Sequence, residues 1–345
     1  MIDTSALSLP LLGGLFTLAA LVVMFCGVKL THKADEFASQ SGIGGAITGI
    51  VLLGALTSLS GSITSVVAAT RGHPELPLSN AIGGIAAQTF FLVIADLVYR
   101  RANLEHAAAS VSNMISGSVL IILLAMLLMA ITLPSATLFH IHPVTPALFL
   151  VYLVGLKFCA QARDEPGWAP YGTTDPDTEK TDETQDPSAS TTRLLMSVIG
   201  LGVICGGAGW VIADTGLAIA AKTGVREGIV GTLMTSIVTS LPELVTTIAA
   251  VRRGALTLAV GGILGGNTFD VLFAAFADVG YTDGSIYHAA AADQVFMIHI
   301  SMAMTAMLLM GLLRRERSGP ANIGFESLAL LVLYIGGISA VIFAF

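Results

Sequence analysis

Charge is scarce in this chain. Only 11% of its 345 residues are Asp, Glu, Lys or Arg, whereas 54% are hydrophobic. That excludes an ordinary soluble domain and leaves no basic patch for nucleic acid. Cysteine is nearly absent. Cys26, Cys159 and Cys205 lie far apart in apolar stretches, so they read as small core residues rather than a disulfide framework or a metal site. The histidines (His32, His73, His106, His140, His142, His288 and His299) are scattered. "HIH" at 140–142 falls in an expected external loop without a third ligand, and His299 is expected to pack inside a span through a hydrogen bond. Without a Cys/His cluster, and with Ser60-Gly61 short of a full Gly-x-Ser motif, an intramembrane enzyme has little support. The first apolar stretch lacks a basic flank and a cleavage site, which reads as a retained helix and not a signal peptide.

Long uncharged runs are abundant, each near the ~20 residues that a spanning helix needs. They predict an all-α polytopic membrane protein in the lipid bilayer, with ten spans at about 9–31, 44–70, 76–99, 108–133, 144–162, 194–221, 226–251, 256–279, 287–313 and 323–344. With the N-terminus outside, Lys29, Lys33, Arg100, Arg101, Lys157, Arg163, Lys180, Arg193, Arg252, Arg253, Arg314, Arg315 and Arg317 all fall inside. Only Arg71, Lys222 and Arg226 fall outside. Both termini are then external, and a plasma membrane is the simplest location. Residues 164–192, rich in Asp, Glu, Thr and Pro, read as an acidic disordered cytoplasmic linker between two five-helix units, 1–163 and 193–345.

The two units repeat. Gly27–Gly72 aligns without gaps on Gly209–Gly254, sharing Gly27/Gly209, Ala38/Ala220, Gly42/Gly224, Ile47/Ile229, Gly49/Gly231, Thr57/Thr239, Ser58/Ser240, Leu59/Leu241, Thr64/Thr246, Ala68/Ala250, Arg71/Arg253 and Gly72/Gly254. After a three-residue insertion, "AIGGIAAQTFF" (81–91) faces "VGGILGGNTFD" (260–270). Five helices per half make the copies antiparallel. Inverted repeats of this kind are the architecture of secondary transporters, whose sites lie near the midplane.

Pro242 and Glu243 stand mid-span in "LMTSIVTSLPELVTTIAAVRRG". A carboxylate there costs at least ~2.5 kcal/mol and so points to a partner or a water-filled path. Pro242 has no N–H, which frees the Val238 carbonyl. Thr239 and Ser240 share a helical face with Glu243. In the next helix Asp270 shares a face with Asn267 and Gly266. Hydroxyl, carbonyl and carboxylate oxygens together suit a hard cation such as Na+ or Ca2+. Gly261, Gly262, Gly265 and Gly266 form overlapping small-xxx-small pairs, the pattern of close helix packing. Asp96, four residues before Arg100, is expected to form an interfacial ion pair.

"GTLMTSIVTSLPELVTTIAAVRRG" followed by "LAVGGILGGNTFD" resembles the second α-repeat of the sodium/calcium exchanger family, within the cation/Ca2+ exchanger superfamily. "GVKLTHKADEFASQSGIGGAITGIVLLGALTSLSGSITSVVAATRG" looks like the first. The resemblance implies a ten-helix antiporter that exchanges Na+ for Ca2+ without a cofactor. Carried over by position, the cation ligands become Glu243 and Asp270 with Thr239 and Ser240 in the second repeat, and Thr57 and Ser58 in the first. Gly266 stands where the family has a ligating Ser. The first repeat is stripped: Ser60-Gly61 replaces Pro-Glu, Ala87 a ligating Ser, Gln88 an Asn, and Phe91 the closing Asn. Only one of two glutamates remains, so Ca2+ affinity is expected to be weak, and Gly61→Glu is expected to raise it. Glu75 lies too far along, in an expected external loop, to stand in. Three readings compete: a Na+-coupled exchanger of Ca2+ or another cation, a proton-coupled or Na+-selective antiporter, and a degenerate non-transporting membrane protein.

Overall fold

A computed structural model of the chain describes residues 4–41, 54–99, 103–134, 137–165, 167–168, 191–316 and 324–345. Most of the expected linker, part of the second expected span, and Arg100, Arg101, Lys180 and Arg317 lie outside these residues. The described helices are α1 (Leu9–Ser41), α2 (Leu59–Thr70), α3 (Glu75–Val98), α4 (Leu104–Ala107), α5 (Val111–Thr132), α6 (Val144–Asp164), α7 (Thr191–Thr223), α8 (Glu227–Thr239), α9 (Leu241–Arg252), α10 (Leu256–Asp270), α11 (Leu272–Gly280), α12 (Ala292–Arg314) and α13 (Phe325–Phe343). Among the described residues there is no named strand, and eight helical segments are long and apolar enough to cross a membrane; α8 and α9, bent by 44° at the break between them, are long and apolar enough only as a pair. The short apolar α2 follows a helical stretch at 54–57.

Burial separates centre from rim. In the most apolar window of α3, and of α10 with α11, 78% of residues are buried, against 28% in α13. Outward residues such as Leu18, Val203 and Val332 are exposed, as lipid-facing side chains are. Lipid is as apolar as leucine, so close helix approach depends on small residues. A Cβ on Gly83 would lie 2.7 Å from the Thr232 backbone, joining α3 to α8. The small-xxx-small expectation holds only in part. Gly261 packs on Asn113 and Gly266 on Gln88, while Gly262 and Gly265 face open space. Neither i,i+4 pair is a complete contact.

Local geometry recurs at an offset of 182 residues. Ser58 (φ −90, ψ 13) and Ser240 (φ −96, ψ 2) interrupt their helices with the same backbone. α2 and α9 both close on a left-handed glycine, Gly72 (φ +79) and Gly254 (φ +83). His73 N–H then donates to Ala68 O, and Ala255 N–H to Ala250 O, each at 3.0 Å. Contacts between halves pair up as well. Gly27 abuts Pro242, and Gly209 abuts Ser60.

The ends of the bundle follow the same rule. Asp278 accepts N–H bonds from His142 (2.8 Å) and Ile286 (3.3 Å) and the Thr145 hydroxyl (2.6 Å). Asp96 accepts from the equivalent Gly324 (3.3 Å), Leu104 (2.8 Å) and Ser327 (2.8 Å). The His106 ring bonds to Arg315 O, and the His288 ring to the equivalent Leu133 O, each at 2.7 Å. Asp96 is therefore a buried hub, 1% exposed; Arg100, its expected partner, lies outside the described residues. His299 bonds to Val295 O of its own helix and is exposed, so it does not pack in the core. His142, read as an external-loop residue, is buried against Tyr287 and His288. Cys26 and Cys205 sit in one apolar cluster, and all three thiols are free.

Candidate cation site

The site forms where two helix breaks face α3 and α10. A serine before a helix ordinarily caps its first N–H groups, worth about 1 kcal/mol. Neither Ser58 nor Ser240 does so. The Ser58 hydroxyl instead donates to Asp270 Oδ1 at 2.7 Å. The Gln88 carboxamide donates to Asp270 Oδ2 at 2.6 Å and to Ser240 Oγ at 3.2 Å. Hydrogen bonds to a charged group contribute about 1.5–3 kcal/mol, so turning Ser58 from cap to carboxylate is favourable. Gly84 borders the pair: a Cβ there would sit in ordinary contact, 3.5 Å from both Asp270 Oδ2 and Ser240 Oγ.

The break falls at Ser240, two residues earlier than Pro242. Pro242 sits in the first turn of α9, where its missing N–H costs nothing. Glu243 follows in the same turn, at the positive end of the half-helix. It is 8% exposed, and Asp270, 2% exposed, is within electrostatic reach of it. Among the described residues neither carboxylate has a basic partner. Three buried oxygens at or beside this cluster have no hydrogen-bond partner: Glu243 Oε2, Gln88 Oε1 and Asn267 Oδ1. Asn267 uses its N–H on Thr89 Oγ1 at 3.0 Å. No three Asp, Glu, His or Cys side chains of the described residues surround one point, so any ion here would need hydroxyl and amide oxygens too.

The structure thus joins Ser58, Gln88, Ser240 and Asp270 directly, with Glu243 as a charged neighbour. Thr57 and Thr239 do not reach into this set through their hydroxyl protons. Thr57 donates to Gly54 O (3.0 Å), and Thr239 to the equivalent Ser236 O (3.2 Å). The Val238 side chain packs in an apolar cluster just before the break.

Two features escape sequence reading. Phe273 fills the space beside Gly61, where a Cβ would lie 2.6 Å from its ring. Gly61→Glu therefore requires the Phe273 ring to shift before a side chain at 61 can reach the site. Asn80 is the second. It donates to Gly61 O (3.3 Å) and Ser65 Oγ (3.1 Å) and accepts from Thr235 Oγ1 (2.8 Å), tying α2, α3 and α8 behind the site. Its place in "LPLSNAIGG" carries no motif. Glu75, in turn, begins α3 instead of lying in a loop, among Glu227, Asp293 and Arg226 and away from Gly61.

The family model described as "Sodium/calcium exchanger protein" matches residues 11–159 and 192–343. A curated relative, the putative antiporter CaxA of Alkalimonas amylolytica, is 24% identical over 334 residues, covering 94% of this chain and 97% of that protein. A solved structure of the sodium-calcium exchanger NCX_Mj, soaked with 10 mM Na+ and zero Ca2+, superposes with a TM-score of 0.59 at 17% identity, over 96% of this chain and 99% of that one. Another, soaked with zero Na+ and Ca2+, gives 0.56 at 17% identity with the same coverage.

Proposed function

The chain belongs to the sodium/calcium exchanger protein family and is a cation antiporter, and we propose that it exchanges Na+ for Ca2+ by alternating access at one midplane site. The site lies between α2, α3, the α8–α9 break and α10. Glu243 and Asp270 carry the charge; Ser58, Ser240, Gln88 and Asn267 supply neutral oxygens; Thr57, Thr239 and the Val238 carbonyl line the breaks. The architecture we propose around it is ten spans in two inverted five-helix repeats, which the paired contacts at a fixed offset support.

The observation that carries this reading is the set of unpartnered buried oxygens at Glu243, Gln88 and Asn267 around Asp270. In proteins generally the great majority of buried polar groups are satisfied, and hard oxygens are what Na+ and Ca2+ take. Two carboxylates are balanced by one Ca2+ or by two monovalent ions. That equivalence couples the fluxes, since a neutral loaded site crosses low dielectric far more easily than a charged empty one. Protons can take the same oxygens, which makes H+ the alternative counter-ion.

Equilibrium binding of radioactive Ca2+ to purified protein in detergent, with Na+ as competitor, tests the assignment. Glu243→Gln and Asp270→Asn should each weaken the Na+-displaceable Ca2+ binding by at least about tenfold, a loss of ~1.4 kcal/mol or more. Unchanged affinity in folded variants would remove both residues from the site.

A further inference from the structure

The two ends of the bundle share a scaffold but differ in charge, and the difference falls on a few residues. Around Asp278, the Thr145 hydroxyl bridges to the Tyr287 hydroxyl at 2.8 Å. Around Asp96, the equivalent Ser327 hydroxyl bridges to Glu105 Oε1 at 3.3 Å. At the offset of 182, Glu105 stands for Tyr287, Glu326 for Val144 and Asn103 for Ser285. The Asp278 end closes without a second carboxylate. The scaffold therefore does not require Glu105 or Glu326.

Both are nonetheless buried, 2% and 1% exposed, as is Asn103 at 1%. They converge. A Cβ on Gly324 would lie 3.1 Å from Glu326 Oε2, 3.3 Å from Glu105 Oε2 and 3.4 Å from the Asn103 carboxamide carbon. Glu105 Oε2, Glu326 Oε1 and Asn103 Oδ1 all lack a hydrogen-bond partner. Asp96 adds negative charge, with both of its oxygens already engaged. Among the described residues, Arg314 pairs with Glu316 (3.2 Å), and the His106 ring is held by Arg315 O. Crowding of negative charge shows in Glu105, whose carboxyl is pushed up to about 7 by burial first and by Asp96 second. Two carboxylates and an amide oxygen, buried and unpaired, form a hard-oxygen set of the kind that takes Ca2+ with water completing the shell.

We infer that Glu105, Glu326 and Asn103 form a second binding site for a divalent cation of the Ca2+ class, at the end of the bundle that carries the Asp96 hub and separate from the midplane carboxylates. A cation there joins α4 to the start of α13. The Lys and Arg distribution puts this end inside, so its occupancy would follow internal Ca2+.

The test uses full-length protein carrying Glu243→Gln and Asp270→Asn, so that the midplane does not contribute. Equilibrium binding of radioactive Ca2+ should still show one ion per chain. Adding Glu105→Gln and Glu326→Gln should weaken it at least about tenfold. Adding Glu105→Tyr and Glu326→Val instead, the residues of the opposite end, should abolish it in a chain whose thermal midpoint no longer responds to Ca2+. No Ca2+ binding in the midplane-deficient chain, or binding unchanged by either pair, overturns the site. So does a thermal midpoint that moves with pH but not with Ca2+, the mark of a carboxyl pair that merely shares protons. Because the midplane is disabled throughout, failure here leaves the antiport reading untouched, and the converse also holds.

Discussion

Gly61 and Glu243 occupy equivalent positions after equivalent breaks, yet only Glu243 brings charge to the site. Phe273 stands in the way of regaining it, because a side chain at 61 requires the ring to shift. Its ring lies where any side chain at 61 would begin. Gly61→Glu alone should lower the thermal midpoint and leave Ca2+ affinity no higher. Gly61→Glu with Phe273→Ala opens the space and should raise Ca2+ affinity by about tenfold or more, since a third carboxylate acts at low dielectric. Titration of both variants with Ca2+ decides the matter, and a gain from Gly61→Glu alone would contradict the role given to Phe273. Glu243, Asp270, Ser58, Ser240 and Gln88 are legible in the sequence because polar residues within apolar spans are conspicuous. Phe273 is not, because an aromatic in an apolar helix is ordinary and its partner is a glycine 212 positions away.

Elements show a second limit. Pro242 announces a break, but the break falls at Ser240, since a proline fits the first turn of the helix that follows better than the middle of one. The same break in the first half has no proline and is marked only by the matching serine at 58. The repeat is also longer than its Gly, Thr-Ser and Arg-Gly signature. Ala95, Asp96, Tyr99, His106 and Ala107 match Ala277, Asp278, Tyr281, His288 and Ala289. That signal is readable without coordinates, but the three-residue shift in the alignment near residue 81 hides its return to the original offset. Both copies of the helix ending need a left-handed residue. Gly72→Ala and Gly254→Ala should therefore each cost about 1–2 kcal/mol, seen as a lower thermal midpoint in detergent. Gly13→Ala, in open space with an ordinary helical backbone, should not. Equal behaviour of all three would mean that the closures do not hold the fold.

At the scale of the whole molecule, lipid supplies no force between apolar helices, so cohesion comes from small-residue contacts and polar hubs. Both kinds recur in pairs: Gly27 on Pro242 with Gly209 on Ser60, and His106 on Arg315 O with His288 on Leu133 O. Pairing of this sort is what a two-fold relation between halves produces, because each contact between unlike residues is then made twice. Spans and repeat are readable from hydropathy and spacing. The differences between the halves at the proposed site, Glu243 in one and Gly61 beside Phe273 in the other, depend on which residues touch in space.

The central claim is coupled cation exchange through Glu243 and Asp270. Its most direct measurement is Ca2+ uptake into vesicles holding the purified protein, driven by an outward Na+ gradient, for the unaltered chain and for Glu243→Gln. Uptake that follows the Na+ gradient and disappears in the variant is the result predicted here. Uptake by folded Glu243→Gln at the rate of the unaltered chain would contradict it.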